Sequence, residues 1–168
     1  MKKTFYIICV AFSIFFLQGC KFYSFTGASI PPNVKTITIK YFTNNAPLIQ
    51  PTLSQTFTDA LKDRFSSQTN LALVNKNGDL ILEGEITNYS TQPVAIQGNE
   101  QAALNRLTIT VNARFTNTLD EKQNFETTFS RYEDYESSKS LSEVESTLID
   151  QINQMLVEDI FNKAVVNW

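Results

Sequence analysis

The strongest constraint on the fold is the nine-residue stretch LTITVNARF at positions 107–115. Apolar and polar side chains alternate along it: Leu107, Ile109, Val111, Ala113 and Phe115 fall on one side, and Thr108, Thr110, Asn112 and Arg114 on the other. A period of two with many β-branched residues predicts a strand with one buried face and one wet face. The chain should therefore contain an open sheet that is covered on one side only.

Four other stretches predict strands. They are 34–42, with Ile37, Ile39 and Tyr41 on one face and Thr38, Lys40 and Phe42 on the other, the short stretch 71–74, and the longer stretches 80–89 and 125–135. Between 71–74 and 80–89 lies Asn77-Gly78, a pair that adopts the positive φ angles of a tight reversal. We therefore predict a hairpin there. The segment 93–105, before the clearest strand, has no regular pattern, and its role stays open.

Two stretches have the spacing of amphipathic helices. After Pro51, Leu53, Phe57, Leu61 and Phe65 recur every four residues. The second helix starts at a capping box of Ser140 and Glu143, and its apolar stripe is Leu141, Val144, Leu148, Ile152, Met155, Leu156, Ile160 and Phe161. The predicted fold class is α+β: a two-layer domain with two helices packed on one face of a small mixed, largely antiparallel β-sheet, and with a parallel crossover around the first helix.

The N-terminus has the features of an export signal. Lys2 and Lys3 precede an apolar run from Phe5 to Leu17, which is shorter than the roughly 20 residues that a spanning helix needs. The sequence LQGC resembles a lipobox, although Gln18 replaces the usual small residue, so Cys20 is the predicted lipid attachment site. We expect residues 1–19 to be removed, 20–33 to form an acylated tether and 34–168 to form a single domain.

Composition narrows the chemistry. The chain contains no histidine, which excludes nucleophile systems based on Ser-His or Cys-His pairs and histidine-ligated zinc sites. Loss of Lys2 and Lys3 with the signal changes the formal net charge from -3 to -5, because no acidic residue is lost. This negative net charge gives no positive electrostatic field that would favour binding to nucleic acid. We predict no catalytic residues, no metal and no cofactor.

Two groups of charged residues on the predicted sheet could bind ligands. Glu83 and Glu85 should point to one face about 7 Å apart, a separation compatible with acid–base cleavage of a glycosidic bond or simply with a solvated sheet. Lys40 and Arg114 fall on the polar side of their strands, and Arg106 and Arg131 lie near strand ends. Such cations could bind phosphate or acidic sugars, or could only keep the sheet soluble.

An ordered set of segments resembles the lipopolysaccharide-assembly lipoprotein family LptE. The set comprises the lipobox, KFYSFTGASIPPNVKTITI at 21–39, NGDLILEGEITNY at 77–89, NRLTITVNARF at 105–115 and EDIFNKAVVNW at 158–168. The resemblance implies two helices on one face of a small mixed sheet. It also implies a non-enzymatic lipoprotein, anchored on the periplasmic side of the outer membrane, that plugs the β-barrel LptD, assists its folding and helps deliver lipopolysaccharide to the outer leaflet.

Three functions follow from these features. In the first, the chain is the LptD plug, and Lys40, Arg114 and Arg131 are candidate contacts for lipopolysaccharide. Lys21, which follows Cys20, is not the aspartate that retains lipoproteins in the inner membrane of enteric bacteria. In the second, the chain is a free-standing periplasmic lipoprotein that binds a lipid or glycan between its helices and its sheet, as an accessory to a transporter. In the third, it is a hydrolase that uses Glu83 and Glu85.

Overall fold

A computed structural model describes residues 30–94 and 104–165. The predicted signal peptide 1–19, the lipid attachment site Cys20 and the tether before residue 30 lie outside the described residues. So do residues 95–103, which form most of the segment without a regular pattern, and residues 166–168 of the predicted domain.

The described residues form two helices and a mixed sheet of six strands. In chain order the elements are β1 Thr36–Ile39, β2 Thr43–Asn44, α1 Leu53–Gln68, β3 Ala72–Leu73, β4 Leu80–Val94, β5 Leu104–Asn117, β6 Phe125–Glu136 and α2 Leu141–Val165. The strand order is β3–β1–β4–β5–β6, and β2 continues beside β4 beyond β1. The strand β4 pairs with β5, and β5 with β6, in antiparallel fashion. The strand β1 pairs with β3 and β4 in parallel, and β2 pairs with β4 in parallel. The predicted α+β class is confirmed.

The long antiparallel β4–β5–β6 ladder makes up most of the sheet, with β6 at its edge. The predicted alternation in β5 is confirmed: Leu107, Ile109, Val111, Ala113 and Phe115 are buried. Both β4 and β5 extend further than their sequence patterns indicate, because pairing continues to Val94 opposite Leu104. An irregularity between Ile86 and Asn88 shifts the alternation of β4 and places Tyr89 in the core.

The two helices pack against the sheet and against each other. The ring of Phe57 in α1 meets Phe42 edge to face at 5.3 Å, and Phe65 meets Phe161 of α2 in the same way at 5.1 Å. Half of the predicted capping box is present: the Ser140 backbone N–H donates to the Glu143 carboxylate at 3.0 Å. The Glu143 N–H donates to the Ser140 backbone carbonyl at 3.1 Å instead of the Ser140 hydroxyl. The start of α1 uses a cap that the sequence did not reveal: the Gln50 side-chain oxygen accepts from the Leu53 N–H at 2.8 Å.

The predicted hairpin around Asn77-Gly78 is wrong. Strands β3 and β4 do not pair; both lie parallel to β1, one on each side of it. The connecting loop crosses β1, and Gly78 lies so close to the β1 backbone that an added Cβ would be 2.7 Å from the Thr38 nitrogen. Asn77 does have a positive φ of 56°, but its turn directs the chain across β1 instead of reversing it.

The predicted alternation at the end of the first strand is also wrong. Phe42 is fully buried and Tyr41 is 52% exposed, which is the reverse of the pattern expected for an unbroken strand. The strand is interrupted between Ile39 and Thr43, and this break changes which side chains face the core. Burial of Phe42 decides the geometry, because its ring fills the space left by Gly84, where an added Cβ would be 2.5 Å from Phe42 Cε1.

Asp79 fastens the crossing loop to β1. One of its carboxylate oxygens accepts hydrogen bonds from the Lys35 N–H, the Thr36 N–H and the Thr36 hydroxyl, each at 2.9 Å. These bonds, with the Lys35 N–H contributing most, lower the pKa of Asp79 from its ordinary value of 3.8. The loop is therefore held by a charge-assisted cluster that depends on ionised Asp79.

We expect Asp79→Asn to lower the free energy of unfolding by about 1–2 kcal/mol at neutral pH, because hydrogen bonds to a charged group become neutral ones. A carboxyl whose pKa is lowered in the folded state stabilises the fold above its ordinary pKa and loses this effect as pH falls through the lowered value. Urea unfolding should therefore show the gap between wild type and variant narrowing as pH falls below about 4. A gap that is unchanged at about pH 2.5 would contradict this assignment.

Candidate functional site

The outer face of the sheet, opposite the helices, carries mainly polar side chains along β5 and β6. It carries the outward side chains of β5 and β6, including Thr108, Thr110, Asn112, Thr128 and Ser130, none of which is buried. Hydroxyls on neighbouring strands meet, as in the 2.9 Å contact between Thr110 Oγ1 and Ser130 Oγ. This face offers hydrogen-bonding groups in regular rows to any partner that lies against it.

A shallow groove of about 330 Å³ lies on this face, near the break after β1. Its lining comes from the break after β1, from β2 and from the β4–β5–β6 ladder: Lys40, Tyr41, Thr43, Glu83, Gly84, Glu85, Asn112, Arg114 and Glu126. The break after Ile39 turns Tyr41 into this groove as Phe42 enters the core. Register places Glu83 opposite Arg114, Glu85 opposite Asn112 and Arg114 opposite Glu126.

The cations of the groove are held in a network of ion pairs. Lys40 Nζ lies 2.5 Å from one Glu83 oxygen, and Arg114 lies 3.6 Å from the other. Arg114 also contacts Glu126 at 2.9 Å, and Asn112 donates to Glu126 at 3.2 Å. Hydrogen bonds lower the pKa of Glu126 from its ordinary value of 4.5, and the bond from Arg114 contributes more than the bond from Asn112. Two cations thus face three carboxylates.

Two of the three candidate lipopolysaccharide contacts therefore meet in the structure. Lys40 and Arg114 share Glu83, and the side chain of each is 56% exposed. Their existing ion pairs are exposed and hence weak, so an anionic ligand could compete for them. An anion would nevertheless meet a groove in which carboxylates outnumber cations.

Arg131 lies elsewhere. It pairs with Ile109, whose side chain points into the core, and so falls on the helix side of β6. Its guanidinium forms a two-point contact with Asp159 of α2, at 2.6 and 2.8 Å, and this hydrogen bonding raises the pKa of Arg131. Arg131 thus links the edge strand to the helix and does not join Lys40 and Arg114.

Arg106 lies on the outer face near the start of β5. It binds both oxygens of Asp134, at 2.7 and 2.9 Å, and lies 3.6 Å from the ring centre of Tyr132. The hydrogen bond from Arg106 lowers the pKa of Asp134 from its ordinary value of 3.8. The guanidinium, carboxylate and ring together form a second polar cluster, which the sequence indicated only as a cation near a strand end.

The geometry gives the glycosidase hypothesis no support. Both oxygens of Glu83 already contact cations, and Glu85 accepts a 2.5 Å hydrogen bond from the Asn45 side chain. The glycine between them lies under Phe42 and against the Asn112 backbone, where an added Cβ would be 2.2 Å from the Asn112 oxygen. Gly84 therefore serves close packing of the sheet, as expected for a strand glycine.

Within residues 30–94 and 104–165, no three metal-ligating side chains come together. Neither helix in this part of the chain is long and apolar enough to cross a membrane.

Comparison with known proteins assigns the family. Residues 34–164 match the sequence model of LptE, described as lipopolysaccharide-assembly. The chain belongs to the LptE family. The match begins just before β1 and ends one residue before the end of α2, so it includes every strand and nearly all of both helices. No curated protein matches the chain significantly in sequence.

Several solved structures share the fold at low sequence identity. A minor lipoprotein of Acinetobacter baumannii has 17% identity and a TM-score of 0.50, with coverage of 79% of this chain and 96% of the other. Uncharacterized lipoprotein B of Nitrosomonas europaea has 18% identity and a TM-score of 0.50, covering 86% and 88%. A hypothetical protein of Chlamydia trachomatis has 8% identity and a TM-score of 0.54, covering 80% and 99%. At these identities the likeness concerns the fold alone.

Proposed function

We propose that this LptE-family chain is a non-enzymatic outer-membrane lipoprotein. It acts as plug and assembly factor of the β-barrel LptD and assists insertion of lipopolysaccharide into the outer leaflet. The proposal is carried by the polar outer face of the sheet, considered together with family membership over residues 34–164. A plug needs a hydrogen-bonding surface, because the interior of such a barrel is polar.

The pairing of charges on this face suits that role. Glu83 and Glu126 hold Arg114, and Asp134 holds Arg106, so these cations carry their counter-ions with them. An isolated charge pressed against a partner would lose its hydration without compensation, whereas a paired charge loses less. Rows of hydroxyl and amide groups then remain available to bind the barrel wall.

Anchoring at Cys20 is the second part of the proposal. Removal of residues 1–19 and acylation of Cys20 would leave residues 20–33 as a tether to the domain 34–168. More than one acyl chain gives stable membrane attachment. The anchor would hold the plug on the periplasmic side of the outer membrane, next to the barrel.

Contact with lipopolysaccharide is assigned to exposed cations of the groove. Lys40 and Arg114 could exchange their carboxylate partners for phosphates, and arginine can bind phosphate with two parallel hydrogen bonds. Arg131 would have to release Asp159 first. We therefore place Arg114 and Lys40 ahead of Arg131 as contact residues.

The alternative of a lipid or glycan bound between helices and sheet has little support. That space is filled by rings with at most 1% exposure, those of Phe42, Phe57, Phe65, Phe115 and Phe161. A ligand there would have to displace the core. The two functions also predict different effects of depleting the chain on lipopolysaccharide export.

Depletion of the chain tests the proposal. We expect lipopolysaccharide to disappear from the cell surface, together with correctly assembled LptD, and expression of wild-type chain should restore both. Surface labelling of lipopolysaccharide and the amount of folded LptD in the outer membrane are the measurements. Normal export in depleted cells would refute the plug function and favour an accessory lipoprotein.

A further inference from the structure

The segment 41–58 contains no Lys, Arg, Asp or Glu. Charged residues make up 18% of the whole chain, so a stretch of this length would on average carry about three. The segment includes β2, the first turn of α1 and the loop 45–52 that connects them. Tyr41, Thr43 and Asn45 border the charged groove, but the loop tip at 46–51 contributes no charge of its own to the surface. Depletion of charged residues is typical of the centre of a protein–protein interface.

Two adjacent apolar side chains project from this uncharged loop. Leu48 is 53% exposed, and Ile49, at 66%, is the most exposed large apolar side chain among the described residues. Pro47 and Pro51 flank the pair and restrict its backbone. Single exposed apolar residues are ordinary on protein surfaces, but an adjacent pair without any nearby charge in sequence is a feature of binding sites.

The loop is held in place by its own polar side chains. Asn44 donates to the Gln50 carbonyl at 3.3 Å and accepts from the Ala46 N–H at 3.1 Å, which closes the base of the loop. The Gln50 side chain then caps α1 through the Leu53 N–H. A loop fixed in this way loses little further freedom when a partner binds its tip, and such preorganisation favours affinity.

We propose that the loop 45–52 is a docking knob, with Leu48 and Ile49 inserting into an uncharged apolar pocket of a protein partner. This inference rests on the proposed function, which makes the outer-membrane β-barrel that partner. A membrane surface fits the loop less well, because attachment to anionic lipid headgroups is favoured by nearby Lys and Arg, and residues 41–58 have neither. A few side chains that fill desolvated pockets near the centre of an interface carry most of its binding energy.

The test uses the full-length acylated chain with an affinity tag, extracted in mild detergent, and measures the barrel captured per chain. The variant is Leu48→Ser with Ile49→Ser. The control is Leu119→Ser, since Leu119 is 51% exposed in the turn between β5 and β6. We expect the double variant to weaken barrel capture about tenfold or more and the control to leave it unchanged. Thermal unfolding should be the same for all three chains.

A photo-crosslinking residue at position 49 gives an independent readout that does not depend on affinity. It should form an adduct with the barrel, and the same residue at position 119 should not. Equal capture by all three chains with no adduct from position 49 would overturn the docking knob and leave the proposed function standing. Failure of the wild-type chain to capture a barrel would overturn both. Normal capture by the double variant would also overturn the proposal if, in the Cys20→Ala chain that lacks the acyl anchor, the same two substitutions abolished binding to phosphatidylcholine vesicles; that result would assign the loop to the membrane.

Discussion

Phe57→Ala is expected to lower the free energy of unfolding by about 3–5 kcal/mol, the usual cost of removing a fully buried aromatic ring. Phe57 has no exposed surface and packs edge to face on Phe42, which in turn fills the space above Gly84. Its loss leaves a cavity where α1 meets the sheet, and these neighbours cannot close it without moving a strand. Urea unfolding followed by circular dichroism measures the change.

Phe129→Ala is the matched control, because Phe129 is only partly buried against the same core. It removes the same atoms from the edge strand β6, where solvent can fill the space. We expect Phe129→Ala to lower the free energy of unfolding by less than half as much as Phe57→Ala does. Similar losses for the two variants would contradict the expectation that the fully buried Phe57 ring contributes more stability than the partly buried Phe129 ring.

Cys20→Ala should move the protein from the membrane fraction to the soluble periplasmic fraction. The thioether-linked acyl chains are the proposed anchor, and the neighbouring residues offer no replacement for them. Fractionation followed by immunoblotting measures the distribution, and mass spectrometry of the wild-type N-terminus measures acylation.

Cys9→Ala provides the control for this experiment, since Cys9 lies in the predicted signal and leaves with it. We expect that variant to remain in the membrane fraction. If the Cys20→Ala chain also remained there after removal of residues 1–19, as mass spectrometry would show, binding to a partner rather than acylation would be the main tether. An unmodified thiol on the native N-terminus would contradict the lipobox interpretation directly.

The alternation of apolar and polar residues was sufficient to predict β5. That strand is paired on both sides, and no break or irregularity in it changes which residues face the core. The same reasoning failed near Phe42, where packing against Gly84 and Phe57 overrides the local pattern. It failed again at Asn77-Gly78, whose turn preference is satisfied in a crossing loop. The placement of β1 between β3 and β4 depends on long-range pairing that local sequence does not encode.

The candidate site was predictable to a similar degree. Arg114 lies on the polar side of β5 as predicted, whereas Lys40 lies in the break after β1 and not within a strand. Their shared contact with Glu83 depends on register, which the sequence pattern does not give. Arg131 could have been separated from them by sequence alone, since it is an even number of residues from Phe125 and Phe129 and so falls on their face. The docking knob was missed because it lies in a loop, where periodicity carries no information.

Affinity capture of the acylated wild-type chain from native membranes tests the central claim most directly. If the chain plugs the lipopolysaccharide translocon, gentle detergent extraction should recover LptD with it in roughly equal molar amount, and native mass spectrometry should show one copy of each. Recovery of the chain as a lone monomer under the same conditions would contradict the claim.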